Sequence, residues 1–189
     1  MDNQSRLDEL KGRIEVSGIT PDLASEATQL VMGAGNPTAD IVFVGEAPGK
    51  QEDLQGKPFV GASGRFLNEM LAAAGLNRDD VYITNIVKYR PPANRDPLPE
   101  EKQAFWPYLM QQLEIIKPRV VITLGRHSGS CFIPDLHISS DHGHARRMKY
   151  HDLELLVIPL YHPAAALYNG SMRQTLIDDF LRATKIAKS

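Results

Sequence analysis

The chain has 189 residues, 42% of them hydrophobic and 23% charged, a balance that excludes a disordered or fibrous protein and suffices for one domain with a buried core. Its 21 basic and 23 acidic side chains leave a formal charge of −2, so overall positive charge is not what holds a partner, although a local basic surface remains available. The single cysteine, Cys131, excludes an intrachain disulfide and any centre built from several thiolates of one chain.

Taken in chain order, Ser5 to Ile14 reads as an amphipathic helix. Ile41-Val42-Phe43-Val44 is a short β-branched run without strict alternation, as expected of a strand buried on both faces of a parallel sheet. Arg65 to Ala74 places Phe66, Leu67, Met70 and Leu71 at three- and four-residue spacing and stops at Gly75, which predicts a helix. Val81-Tyr82-Ile83-Thr84 is a second strand. Pro99-Glu100-Glu101 is the acidic first turn of a helix that runs to Ile116 and ends at Lys117-Pro118. Val120-Val121-Ile122-Thr123-Leu124 is a third strand, and Leu155-Leu156-Val157-Ile158 a fourth. A hairpin is expected around His151-Asp152, and a last helix from Met172 to Lys185. Alternating strands and helices predict an α/β fold, a three-layer α/β/α sandwich around a central, mainly parallel four-stranded sheet, with residues 1–189 as a single domain. No apolar run approaches the roughly 20 residues that span a bilayer, and the first residues lack the pattern of a signal peptide. The expectation is a cytoplasmic monomer with no membrane partner.

The polar, Gly- and Pro-rich segments follow the strands: Gly45-Glu46-Ala47-Pro48-Gly49, then Asn85, then Tyr161-His162-Pro163. In open parallel sheets ligands bind at the carboxyl ends of strands, so these segments point to one pocket. Glu46 sits in a turn whose amides can approach a ligand closely, and its carboxylate can orient water or oppose a developing cation; a solvated loop acid would read the same in isolation. Phe59, ahead of Gly61-Ala62-Ser63-Gly64, can stack on a planar ring while Ser63 and the helix amides bind phosphate; the alternative is a core aromatic before a helix-opening turn. Asn85 ends a buried strand, where its acceptor and two donors match a nucleobase edge or cap a turn. His162 can donate a hydrogen bond to an oxyanion or serve as a structural histidine. Lys88, Arg90 and Arg95 with Tyr89 and three prolines form a segment that can track a phosphate backbone or be a solvated charge run. His137, His142 and His144 invite a metal reading, but their loop spacing matches no familiar ligand pattern. His127-Ser128-Gly129-Ser130 does not match a nucleophile elbow.

Gly-Glu-Ala-Pro-Gly (45–49), Pro-Phe-Val-Gly-Ala-Ser-Gly (58–64), Tyr-Ile-Thr-Asn (82–85), Arg-Pro-Pro-Ala-Asn-Arg-Asp-Pro (90–97) and His-Pro-Ala (162–164) occur in this order. The combination resembles the family four uracil-DNA glycosylases from about Gly33 to near the C-terminus. The resemblance implies a central parallel sheet between helices and an enzyme that removes uracil from single- or double-stranded DNA in base excision repair, leaving an abasic site. It implies Glu46, Asn85 and His162 as catalytic residues, with Glu46 directing water and His162 stabilising charge on uracil O2. Phe59 would stack on the base, Asn85 would read its edge against cytosine, and backbone amides around Ala47 would contact it. Glu52 would be an accessory acid, and Gly61, Ser63, Lys88, Arg90, Asn169 and Ser171 would meet DNA.

Typical members of that family hold a four-iron–four-sulfur cluster on four cysteines. This chain has Gly18, Pro21, Tyr89 and Phe105 instead. The resemblance therefore implies a member with neither cluster nor other cofactor, in which Tyr89, Phe105 and Trp106 fill the space with apolar packing. The segment Ala164–Ser171 would enter the minor groove, reading Tyr168-Asn169-Gly170 where Arg and Pro are more usual. The leading alternative is a uracil-DNA or abasic-site binding protein of the same fold that has lost catalysis; retention of Glu46, Asn85 and His162 argues against it. Covalent capture of the abasic sugar on a loop histidine is disfavoured because no histidine lies between Lys88 and Pro99.

Overall fold

A computed structural model describes residues 1–189. In chain order the elements are α1 (Asn3–Val16), α2 (Pro21–Glu26), β1 (Ala34–Gly35), β2 (Ile41–Gly45), α3 (Lys50–Gln55), α4 (Ala62–Ala73), β3 (Tyr82–Asn85), α5 (Pro99–Ile116), β4 (Val120–Leu124), α6 (Arg126–Phe132), α7 (Ile138–Asp141), β5 (Arg146–Tyr150), β6 (Leu153–Leu160), α8 (Ala164–Tyr168) and α9 (Arg173–Lys188). The predicted strands and the four predicted helices are all present, displaced at their ends by a few residues. The loop expected at Ala164–Ser171 is instead α8 followed by a 3-10 turn over Gly170–Met172.

The sheet has six strands in the order β1-β3-β2-β4-β6-β5 rather than the four expected. β3, β2, β4 and β6 run parallel, and antiparallel β1 and β5 close the two edges. β1 is two residues long, too short to leave a periodic signal. β5 is the first arm of the expected hairpin; it carries Arg146, Arg147 and Lys149, charges that blunt an edge against further pairing.

Successive residues of each central strand face opposite layers. Val42, Val44, Tyr82, Val121 and Val157 pack on the face covered by α1, α2 and α5, with Leu7, Leu10, Leu23, Leu109 and Leu113. Ile41, Phe43, Ile83, Ile122 and Ile158 pack on the other, against Phe66 and Leu67 of α4 and Leu176 and Phe180 of α9. Phe43 and Phe180 stack with centroids 5.3 Å apart. Burial on both faces explains why these strands read as unbroken apolar runs.

Tyr89 and Phe105 meet edge to face at 6.0 Å and belong to the same buried cluster as Leu23 of α2. Trp106 does not enter this contact; it packs on Phe132 at 4.9 Å and on Tyr150 at 6.0 Å. Aromatic packing thus joins the start of α5 to the segment after β3. Phe105 is fully buried, so Phe105→Ala should lower stability by about 3–5 kcal/mol, read as a reduced urea midpoint at unchanged slope.

Candidate active site

The parallel register of β2 and β3 sets Gly45 opposite Asn85. The ladder continues past both strands through Ile86 N–H to the Gly45 carbonyl at 2.9 Å and Val87 N–H to the Glu46 carbonyl at 3.0 Å. A Cβ on Gly45 would come within 2.4 Å of Asn85 Oδ1 and 2.6 Å of the Phe59 ring, so only glycine leaves room for both groups. Asn85 is 2% exposed, and its Oδ1 is buried without a protein partner. A buried acceptor without a partner is costly unless a ligand completes it.

Phe59 is held in the left-handed region at φ +50°, a strained conformation for a bulky residue. Three contacts fix it. Arg78 donates to the carbonyls of Pro58 at 2.6 Å and Phe59 at 2.9 Å. Glu52 accepts from the amides of Val60 and Gly61, both at 3.1 Å. The Phe59 carbonyl lies where a Cβ on Gly64 would stand, 1.9 Å away, so Gly64 admits the turn. Arg78 escaped the sequence reading because nothing in a charged residue before Asp79-Asp80 signals a clamp on a distant aromatic.

His162 follows β6, with its ring centroid 5.9 Å from that of Phe59 and the planes inclined by 29°. The Ala164 amide donates to His162 Nδ1 at 3.0 Å. Nδ1 is therefore unprotonated, and the neutral ring carries its proton on Nε2. Burial pulls the His162 pKa down to about 4, with the charge of His127 acting in the same direction. At neutral pH this imidazole is an uncharged donor.

Asn85, Phe59 and His162 line one cavity of about 310 Å³ with Ala47, Glu52 and Ser63, at the low end of the range of roughly 300–1,000 Å³ for small-molecule sites. Gly61, Leu167 and Tyr168 complete its rim, the last being 92% exposed. Glu46 is absent from this lining. It borders a second cavity of about 160 Å³ that shares Ala47, Gly49 and His162 with the first. The acid therefore stands beside the base-sized cavity, across His162, instead of in its wall.

Burial pushes the Glu46 carboxyl up to about 7, reinforced by the charge of Asp96 and opposed by Lys102 and Arg126. Its Oε1 is buried without a partner. Ligand atoms of Glu46, Asp96 and His127 lie within 4.8 Å of one another, a juxtaposition of residues far apart in sequence that pattern reading does not reveal. The histidines expected to compete as a metal site do not form one: His142 pairs with Asp179 and packs on Tyr161 at 4.7 Å, while Asp141 takes the His137 amide.

Two expected DNA contacts differ. Lys88 is fully buried, with its ammonium turned inward to Thr84, the Asn85 carbonyl and Gln112. Arg90 is half-buried and donates to Asn94 Oδ1 at 2.8 Å. Asn169 and Ser171 are exposed, joined by the Ser171 amide donating to Asn169 Oδ1 at 3.1 Å. A four-iron–four-sulfur cluster does not fit the residues present. Such a cluster takes four thiolates, whereas the one cysteine, Cys131, lies on α6, and Tyr89 and Phe105 are packed ring against ring.

The cavity thus lies at the carboxyl ends of parallel strands and is lined by an aromatic ring, an amide with an unpartnered oxygen and a neutral imidazole. The chain belongs to the uracil DNA glycosylase superfamily, whose sequence model matches residues 32–185. Among its relatives, the Type-4 uracil-DNA glycosylase of Archaeoglobus fulgidus is 49% identical over 165 residues, covering 84% of this chain and 82% of the relative. That of Sulfurisphaera tokodaii is 47% identical over 166 residues, covering 85% and 76%. That of Thermotoga maritima is 41% identical over 167 residues, covering 85% and 84%.

The folded chain holds the Glu46 proton more tightly than an unfolded glutamate with a pKa near 4.5, so this group costs stability as pH rises through about 7. Glu46→Gln should therefore raise the melting temperature relative to wild type at pH 8, and the gain should vanish near pH 4.

Proposed function

We propose that this chain is a monofunctional DNA glycosylase that hydrolyses the N-glycosidic bond of uracil in DNA, leaving an abasic site. The reading stands on one feature above the rest: Asn85, Phe59 and His162, from three separate chain segments, face a single cavity, with the Glu46 carboxyl in the adjoining one. Superfamily membership and similarity to Type-4 uracil-DNA glycosylases support the same chemistry.

The target base lies inside a stack, so the nucleotide is extruded or taken from a single strand. Phe59 receives the flat face of the base. Asn85 Oδ1, which has no partner in the protein, accepts from uracil N3–H, and the amide nitrogen donates to O4. Cytosine offers an acceptor at N3 and a donor at N4, so both contacts become repulsive. As the bond breaks, its electron pair moves onto the base, with charge spread toward O2, where the Nε2–H of neutral His162 donates. The sugar becomes cationic. Glu46 holds water beside it and takes the proton as oxygen bonds to the anomeric carbon. Gly61 and Ser63 at the start of α4 meet a flanking phosphate. Leu167 and exposed Tyr168 enter the groove on a turn fixed by Asn169 and Ser171.

Glu52 acts indirectly, by fixing the amides that follow Phe59. Tyr89 and Phe105 hold the post-β3 segment without a cluster, and purified protein is expected to contain no stoichiometric iron. The enzyme works as a cytoplasmic monomer with uracil-containing DNA as its partner; no helix is long and apolar enough to cross a membrane.

Incubation with an oligonucleotide containing one uracil, followed by alkali, should cut the strand at that position; unchanged DNA under saturating enzyme overturns the reading. Asn85→Ala and His162→Ala should each slow uracil release by about 10²–10³-fold while the circular dichroism spectrum is retained. Water activation needs ionised Glu46, so kcat/KM should climb with pH to a plateau above about 7, while His162 remains neutral throughout that range. Asp96→Asn should move the acidic limb to lower pH, because the charge of Asp96 contributes to the raised Glu46 pKa.

A further inference from the structure

We infer that Lys88 is a buried ammonium that acts through Asn85 to stabilise the negative charge gathering on the departing base, a positioning role that rests on the base-excision reading above. The side chain is 0% exposed. Its Nζ donates to Thr84 Oγ1 at 2.7 Å, to the Asn85 carbonyl at 2.7 Å, and to Gln112 Oε1. All three partners present lone pairs. Thr84 Oγ1 spends its own proton on the Met32 carbonyl at 2.8 Å, and the Gln112 amide nitrogen donates to that same carbonyl at 3.0 Å, which turns Oε1 toward the lysine. A neutral amine has two N–H bonds and would set its lone pair against one of the three acceptors. An ammonium fills all of them, and these three acceptors oppose the burial that holds the Lys88 pKa well below the usual lysine value.

None of the ion pairs in the structure includes Lys88, so no carboxylate cancels its charge locally. An apolar side chain would fill this volume at lower cost than an uncompensated buried cation, which is therefore a feature in need of a counter-charge. Its own contact, Asn85, supplies none, and His162 is neutral at physiological pH; of the carboxyls at the two cavities, Glu52 is engaged by the amides of Val60 and Gly61, and Glu46 borders the adjoining cavity. The base anion would supply one during the reaction. Lys88 holds the backbone of the same residue whose side-chain amide faces the cavity, which fixes the amide and joins the buried cation to the cavity wall through Asn85. Arg78, which holds the Pro58–Phe59 turn from the α4 side of the sheet, is half-buried and more strongly screened by water.

The test compares single-turnover release of uracil and of 5-fluorouracil from otherwise identical oligonucleotides. The fluorinated base leaves as the more stable anion and needs less help with its charge. Lys88→Met should slow uracil release by at least about tenfold more than 5-fluorouracil release, because lost anion stabilisation weighs most on the poorer leaving group. Equal slowing of both bases would show that Lys88 only holds shape and would overturn the inference while leaving base excision intact. Failure of the wild type to release either base would instead remove the underlying reading. Should Lys88→Met not fold, ¹⁵N NMR of wild-type protein labelled at lysine Nζ decides: a slowly exchanging ammonium at pH 7 is expected, and a neutral amine there overturns the proposal.

Discussion

Parallel pairing of β2 with β3, in the register that sets Gly45 against Asn85, is the constraint on which the site depends. It brings the end of one strand beside the end of the other and leaves a gap one methyl group wide. The Asn85 amide and the Phe59 ring occupy that gap together. A register slip of one residue would turn Asn85 toward the opposite layer and close the space over Gly45. The sandwich itself supplies the rigidity: both faces of the pair are buried, with Val42 and Val44 against one helical layer and Phe43 and Ile83 against the other.

Burial shifts two titratable groups around that gap toward their uncharged forms. Burial raises the Glu46 pKa to about 7 and keeps His162 uncharged; Glu46 borders the smaller cavity, and His162 belongs to the wall shared by both. In the reaction proposed, fixed dipoles of the site act on charge that appears only in the transition state. Lys88 extends the same logic into the core. The unpartnered Asn85 Oδ1 and Glu46 Oε1 are costs to the free protein.

How much of this was legible in the sequence depended on whether the relevant physics is local. The central strands and the helices α4, α5 and α9 announce themselves because burial of a face imposes a period or an apolar run. β1 escapes because two residues carry no period, and the sheet is consequently wider than expected. Asn85 and His162 were legible through their setting at strand ends, and Phe59 through the Gly- and Ser-rich turn that follows it and opens α4. Lys88 was misread because a lysine three residues beyond Asn85, in a run of basic and proline residues, has the composition of a surface contact; only the fold reveals that Thr84, Gln112 and the Asn85 carbonyl enclose it. The proximity of Asp96 and His127 to Glu46 joins three distant segments and has no local trace at all.

The segment between β3 and α5 links these features, since it carries Lys88 at one end and Asp96 near the other. Beyond the backbone bonds of Ile86, Val87 and Lys88, its anchors are side chains. Tyr89 packs on Phe105, and Arg95 forms a paired contact with Glu101 at 2.7 and 3.0 Å. Glu101 also accepts the Leu98 amide at 2.8 Å, tying the start of α5 to the segment that precedes it. Arg95 therefore fixes the backbone immediately before Asp96, and that carboxylate is one of the charges that raise the Glu46 pKa. Where four thiolates on a cluster would cross-link such a segment, here an aromatic pair secures one end and a carboxylate shared between a guanidinium and an amide secures the other. The requirement met by either device is the same: the chain that leaves Asn85 must return to Glu46 in a fixed position, because the protonation of the acid depends on it.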